Sequence, residues 1–148
     1  RTFSTFWDWS EGCVHYALLY RRIWTTFGWN LKLCGESNPR SLANFPMQAN
    51  GSEMLRLALI YMSRAKIDVC APVHDAVLIE ASLDEIDEVV HLTKDLMAKA
   101  SQVVLGGFEL KTDAEMIRFP ERFQDKERGG DFWIEVNSVL NEIKSGHP

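Results

Sequence analysis

Cysteine is scarce in this chain, and its placement excludes more than it suggests. Cys13, Cys34 and Cys70 are widely spaced and odd in number, so neither a disulfide framework nor a paired zinc-ligand motif follows from them. Free thiols in a reducing cytosol are the expected state, and a cytoplasmic location the expectation that goes with it. No apolar run approaches the roughly 20 residues that cross a bilayer. Trp7, Asp8, Trp9 and Glu11 break up any signal-peptide core near the start. A membrane partner is therefore not expected. Positive charge is not in excess either. The formal net charge is -5, so the chain as a whole is no polycation, and any contact with nucleic acid needs a local patch or positive charge from elsewhere. Internal repeats and low-complexity tracts are absent.

What remains is an ordinary soluble composition, with 46% hydrophobic and 25% charged residues over 148 positions. That is enough for one domain with a real core. The first residue is Arg1, not Met, which suggests a piece of something longer, though processing would look the same. Phe6, Trp9, Cys13, Tyr16 and Tyr20 recur at helical spacing and predict a helix over Thr5 to Tyr20, capped by Ser4 or Thr5. Aromatic and β-branched residues on both sides of Phe27-Gly28 predict a short hairpin between Arg22 and Leu33, and Gly35 to Pro39 a loop. Pro39 to Lys66 reads as helix, interrupted near Pro46 to Gly51 because proline lacks the N–H and restricts Phe45 before it. Met54, Leu57, Ala58 and Tyr61 form its clear apolar stripe.

Val69-Cys70-Ala71 and Val77-Leu78-Ile79 flank Pro72-Val73-His74-Asp75. Strand propensity on both sides of a polar pair predicts a tight hairpin over Asp68 to Ala81, with the Asp75 carboxylate at its tip. Ser82 and Glu85 make a capping box for a helix to about Val103, whose face is Ile86, Val89, Val90, Thr93, Met97 and Ala100. Phe108 to Thr112 alternates like a further strand. Residues 120–148 read as a charged linker followed by a helix over Phe132 to Ile143. The expected fold is α+β: a small antiparallel sheet, made of the Asp68 to Ala81 hairpin and the Phe108 strand, packed on two helices.

Taken alone, His74-Asp75 reads as a turn beside a partly buried histidine. A metal phosphohydrolase would need further histidines in range, and His15, His91 and His147 show no such pattern. Pro46-Met47-Gln48 alone is a kinked helix. The order of the two motifs says more. Arg40-x-x-x-Asn44-x-Pro46-Met47-Gln48, an amphipathic helix, then Val73-His74-Asp75 on a hairpin resembles the C-terminal palm of family A (DNA polymerase I-like) DNA polymerases. The preceding Thr26-Phe27-Gly28-Trp29 hairpin keeps the family's order. The likeness runs from about Thr5 to Phe119.

The resemblance implies a DNA-directed DNA polymerase that transfers nucleotides by a two-metal mechanism, in replication or repair. Its partners would be primer–template DNA and a dNTP. Asp75 matches the palm aspartate that holds the catalytic Mg²⁺ ions, and hard oxygen is what Mg²⁺ requires. His74 matches the histidine beside the primer terminus. Arg40, Asn44 and Gln48 match residues that touch the template–primer minor groove, where every pair shows acceptors that a donor can test without reading sequence. Ala76 stands where many members carry Glu. The family's other catalytic aspartate, in an Asp-Tyr-Ser-x-x-Glu type segment, has no match here, and neither does its fingers helix. Two metals need more than one carboxylate, so the isolated chain is expected not to polymerise. The palm sheet would also keep an open edge, and self-association is expected from it. The alternative is a non-catalytic DNA-binding or structural domain that retains the palm scaffold; an unrelated metal hydrolase ranks below both.

Overall fold

A computed structural model of the chain describes residues 2–123, 125 and 129–146. It contains two compact units, residues 1–114 and 115–148. The first has an α+β fold built from two antiparallel hairpins and three helices.

Helix α1 (Ser4–Tyr20) is followed by β1 (Arg22–Trp24) and β2 (Asn30–Lys32), then by α2 (Pro39–Arg64). The expected cap of α1 is not used: Phe3, with φ 61, precedes the helix, and no side chain caps it. In the first hairpin Arg22 pairs with Lys32, Ile23 with Leu31 and Trp24 with Asn30. Ile23 turns inward and joins Ala17, Leu33 and Leu42 in a small core, with Cys13, Val14 and Phe45 against it.

Helix α2 departs from expectation. It runs unbroken through Pro46 for 26 residues, or about 39 Å at 1.5 Å per residue. Its start is ordinary, since the Asn38 side chain accepts from the Arg40 N–H at 2.9 Å and Pro39 fills the first turn. Pro46 removes one helical hydrogen bond. Its ring is nevertheless buried, and the Asn50 Nδ2 donates to the Pro46 carbonyl at 2.7 Å. Packing of the buried ring keeps the helix going where local propensity argues for a break; the Asn50 bond goes to Pro46's own carbonyl and does not replace the missing N–H.

Strands β3 (Asp68–Val73) and β4 (Ala76–Glu80) form the second hairpin. The register slips between Val69 and Ala71, leaving Cys70 as the extra residue of a bulge. A bulge bends its strand and raises the local twist, which re-aims the hairpin tip relative to its base. Helix α3 (Ile86–Val104) starts later than the Ser82 box implies. The Ser82 hydroxyl bonds the Glu85 carboxylate, and no side chain caps the helix N–H groups. The predicted face of α3 does turn inward: Thr93 and Ala100 are buried, and Val89 and Met97 half-buried. The second core joins Ala58, Met62, Ile67 and Ala100, with Val69, Val77, Ile79 and Leu96 packed against it.

The expected Phe108 strand does not form. Residues 108–118 carry no strand or helix, and both sheets have two strands. The Leu110 N–H bonds the Ser101 Oγ at 2.9 Å in place of a ladder partner. In the second unit, α4 (Gly130–Lys144) covers the helix expected over Phe132 to Ile143, and none of its residues is buried.

Candidate functional site

The tip of the second hairpin is a two-residue turn. Val73 pairs directly with Ala76, leaving His74 and Asp75 as the central residues. His74 has φ 54. A left-handed conformation is uncommon outside glycine, though histidine, asparagine and aspartate tolerate it better than most. Both residues are exposed, so the partly buried histidine suggested by the dipeptide alone is not what the fold provides. Among the described residues neither side chain has a hydrogen-bond or ion-pair partner, which leaves the carboxylate free to take a ligand.

The tip overlooks a cleft of about 610 Å³. Helix α2 supplies one wall, with Met47, Gln48, Gly51, Ser52 and Leu55. His74 and Asp75 come from the hairpin, Met97 and Ser101 from α3, and Leu110 to Thr112 from the extended segment after it. Gln48 is exposed at this wall. Three of the five residues singled out from sequence, Gln48, His74 and Asp75, therefore line one cleft. Arg40 and Asn44 do not line it. They lie on α2 at four-residue steps from Gln48, exposed like it, so the three share a helix face. The span from Arg40 to Gln48 is about 12 Å along the axis. The unbroken path through Pro46 is what keeps this stripe intact.

Sequence reasoning missed Lys111 and Thr112, because a strand was expected where an extended segment closes the cleft. It also missed the network behind α2. Glu53 is 3% exposed, yet it is a carboxylate. Its Oε1 accepts from the Thr25 hydroxyl at 2.8 Å and its Oε2 from the Arg56 guanidinium at 3.1 Å. The Thr25 Oγ1 also accepts from the Trp29 N–H, and the Thr26 N–H donates to the Asn50 Oδ1, both at 3.0 Å. The first hairpin's turn is thereby fixed to α2. The available signal was an acid one turn before Leu57, on the edge of an apolar stripe.

The donor set does not by itself fit a resident divalent cation. Asp75 offers one carboxylate, and no group of three or more His, Cys, Asp or Glu able to hold a metal occurs among the described residues. Of the thiols, burial pushes Cys13 up from its ordinary pKa. Desolvation, then the Glu80 and Asp68 carboxylates, push Cys70 up as well. Neither is set up as a nucleophile. No helix among the described residues is long and apolar enough to cross a membrane.

The fold has a counterpart among solved structures. The chain is similar in structure to the POL domain of Pol1 from M. smegmatis, solved in complex with DNA primer-template and dNTP. The TM-score is 0.55 at 24% sequence identity, over 63% of this chain and 19% of that one. The chain thus spans about a fifth of the length of that neighbour. No protein-family model matches it, and no curated protein does.

Proposed function

We propose that this chain is the C-terminal palm part of a family A DNA-directed DNA polymerase, binding primer–template DNA beside Asp75. One observation carries the reading: Gln48 on α2 and His74-Asp75 on the hairpin tip line the same cleft. These are the residues that the family resemblance matched to the minor groove, the primer end and the metal. A similar fold within a polymerase domain supports it. Arg40, Asn44 and Gln48 contact the minor groove as donors that test pair geometry, and His74 stands beside the primer terminus. Asp75 would offer one carboxylate to Mg²⁺, and a longer parent would have to supply the other ligands. A rigid two-residue turn holds that carboxylate steadily, and its exposure leaves both oxygens open.

The test has two arms. Purified 148-residue chain, given primer–template, Mg²⁺ and all four dNTPs, is expected to give no primer extension; robust extension refutes the single-carboxylate argument. In a parent polymerase that contains this segment, Asp75→Ala should abolish nucleotide transfer while DNA binding persists. Unchanged activity removes Asp75 from the metal site.

A second reading is a non-catalytic DNA-binding domain on the same scaffold. Ala76, in place of the acid many family members carry, and the lack of a metal-holding cluster among the described residues favour it. It predicts primer–template binding that Gln48→Ala weakens and Asp75→Ala leaves unchanged. Self-association belongs to either reading, because among the described residues no third strand pairs with the β3–β4 sheet. Light scattering at rising concentration should show a dimer or larger species; a persistent monomer counts against it.

A further inference from the structure

A second groove, of about 620 Å³, is lined from α2 by Pro46 and Asn50. The first cleft uses Gln48 and Ser52 instead. At 3.6 residues per turn these two pairs point about 160° apart, so the grooves lie on opposite faces of α2. The walls of the second groove are aromatic. Trp9 and Tyr16 come from α1 and Trp24 from β1, each between 43% and 46% exposed.

The amide and hydroxyl groups of Asn50, Thr25 and Thr26 in this groove are already engaged. Asn50 uses its Oδ1 on the Thr26 N–H and its Nδ2 on the Pro46 carbonyl. The Thr25 hydroxyl is held between Glu53 and the Trp29 N–H. None of the lining residues is acidic. What the groove offers a ligand is ring faces, with little hydrogen-bond readout.

Cations flank it. Arg22 and Lys32 are register partners, as are Trp24 and Asn30. Paired and alternate residues of a hairpin share a face, so all four project from the side opposite the buried Ile23. The Arg22 guanidinium lies 5.9 Å from the Trp24 ring centroid. Residues 21–33 hold Arg21, Arg22 and Lys32 and no acid, in a chain of net charge -5.

We propose that this groove binds an unpaired base of a single-stranded nucleic acid, stacked against Trp24, with Arg22 and Lys32 on the neighbouring phosphates. Alternating ring faces and cations match the alternation of base and phosphate along a single strand. An apolar peptide anchor would have no use for the charged rim. Because Asn50, Thr25 and Thr26 are engaged and ring faces supply most of the wall, base identity should matter little. It stands apart from the Asp75 reading, since no metal and no residue of that cleft takes part.

The test uses the 148-residue chain in EDTA, with a short fluorescein-labelled oligothymidylate followed by anisotropy. A blunt duplex of the same length is the control. The single strand should bind more tightly than the duplex. Trp24→Ala should weaken it about tenfold, the scale of one lost base–aromatic stack, and Trp24→Phe should restore most of that loss. Arg22→Gln with Lys32→Gln should lower the slope of log affinity against log salt by about 1.4, for two single-strand phosphates released. These two side chains are exposed, so this variant decides the matter even if Trp24→Ala fails to fold. Equal or tighter duplex binding overturns the proposal, as does an unchanged salt slope. Self-association that Trp24→Ala abolishes, without any oligothymidylate binding, would give the groove to a second copy and overturn it too.

Discussion

The β1–β2 hairpin ends in a turn fixed to α2, whereas the β3–β4 hairpin ends in a turn whose two side chains bond to no described residue. Both are two-stranded and antiparallel, and both rest an inner face on a small core. They differ at the tip. At the first tip, the Thr25 hydroxyl and the Thr26 and Trp29 N–H groups are all satisfied within the protein, partly by the buried Glu53. At the second, His74 holds a left-handed backbone and Asp75 an unpaired carboxylate in the open. A polar group with a partner inside the protein contributes to stability; one left exposed and rigid is available to a ligand. The first tip is therefore architecture, and the second is the candidate site.

Breaking the fixed tip should have the largest effect. Glu53→Ala removes a nearly buried carboxylate that accepts two hydrogen bonds, one of them from Arg56, and leaves the Thr25 hydroxyl without its acceptor. A loss of about 2–3 kcal/mol is expected, the scale of hydrogen bonds to a charged group plus an orphaned donor. Urea unfolding monitored by tryptophan fluorescence measures it. Combining Thr25→Val with Glu53→Met should cost less than the sum of the separate changes, because the hydroxyl and the carboxylate that bond each other leave together, while the Trp29 N–H loses its acceptor equally in Thr25→Val and in the double variant. Strict additivity would mean that the contact holds nothing together.

At the free tip, backbone conformation is the sensitive variable. His74→Val places a β-branched residue at φ 54 and should destabilise by about 1–2 kcal/mol. His74→Gly should be close to neutral, because relief of the left-handed strain offsets the added freedom of the unfolded chain. If valine and glycine behave alike by thermal melting, the turn is not strained as described.

Much of this contrast was legible in the residues, and its exceptions have physical causes. Both hairpins follow from β-branched and aromatic flanks, and α1 and α3 from their apolar period. The convergence of Gln48 with His74-Asp75 followed from the family resemblance; no local pattern places a helix residue against a turn some 26 positions later. The run of α2 through Pro46 was not legible, since burial of the ring is a tertiary effect that outweighs local propensity. Phe108 to Thr112 alternates correctly, but a strand needs a ladder, and its neighbour is the Ser101 hydroxyl. Glu53 stayed hidden because its partner Thr25 lies 28 residues away. An acid on a helix reads as surface until that partner is known.

Asp75→Ala sharpens the comparison from the other side. An exposed side chain without partners contributes little to folding, so the change should move stability by less than about 0.5 kcal/mol. The same substitution in a parent polymerase is the one expected to abolish nucleotide transfer. A residue dispensable for folding yet required for activity is the signature of a ligand-binding carboxylate. A large stability loss would instead make the second tip architectural, like the first.

The smallest effect expected is chemical, at the bulge that separates the second tip from its base. The Cys70 Sγ lies 3.7 Å from the Glu80 Oε2, and its thiol is pushed up by desolvation and then by the Glu80 and Asp68 carboxylates. A raised pKa means less thiolate at any pH below it, and thiolate is the species that alkylates. Glu80→Gln removes one of those negative charges and should speed iodoacetamide labelling of Cys70 at pH 8 a few-fold, with the gain shrinking in high salt because the pair is exposed. Asp68 sits opposite Glu80 in the strand register, so Asp68→Asn should act in the same direction and more weakly. If neither substitution changes the labelling rate, the bulge does not hold Cys70 beside Glu80. The re-aiming of the His74-Asp75 tip that rests on that bulge would then need another cause.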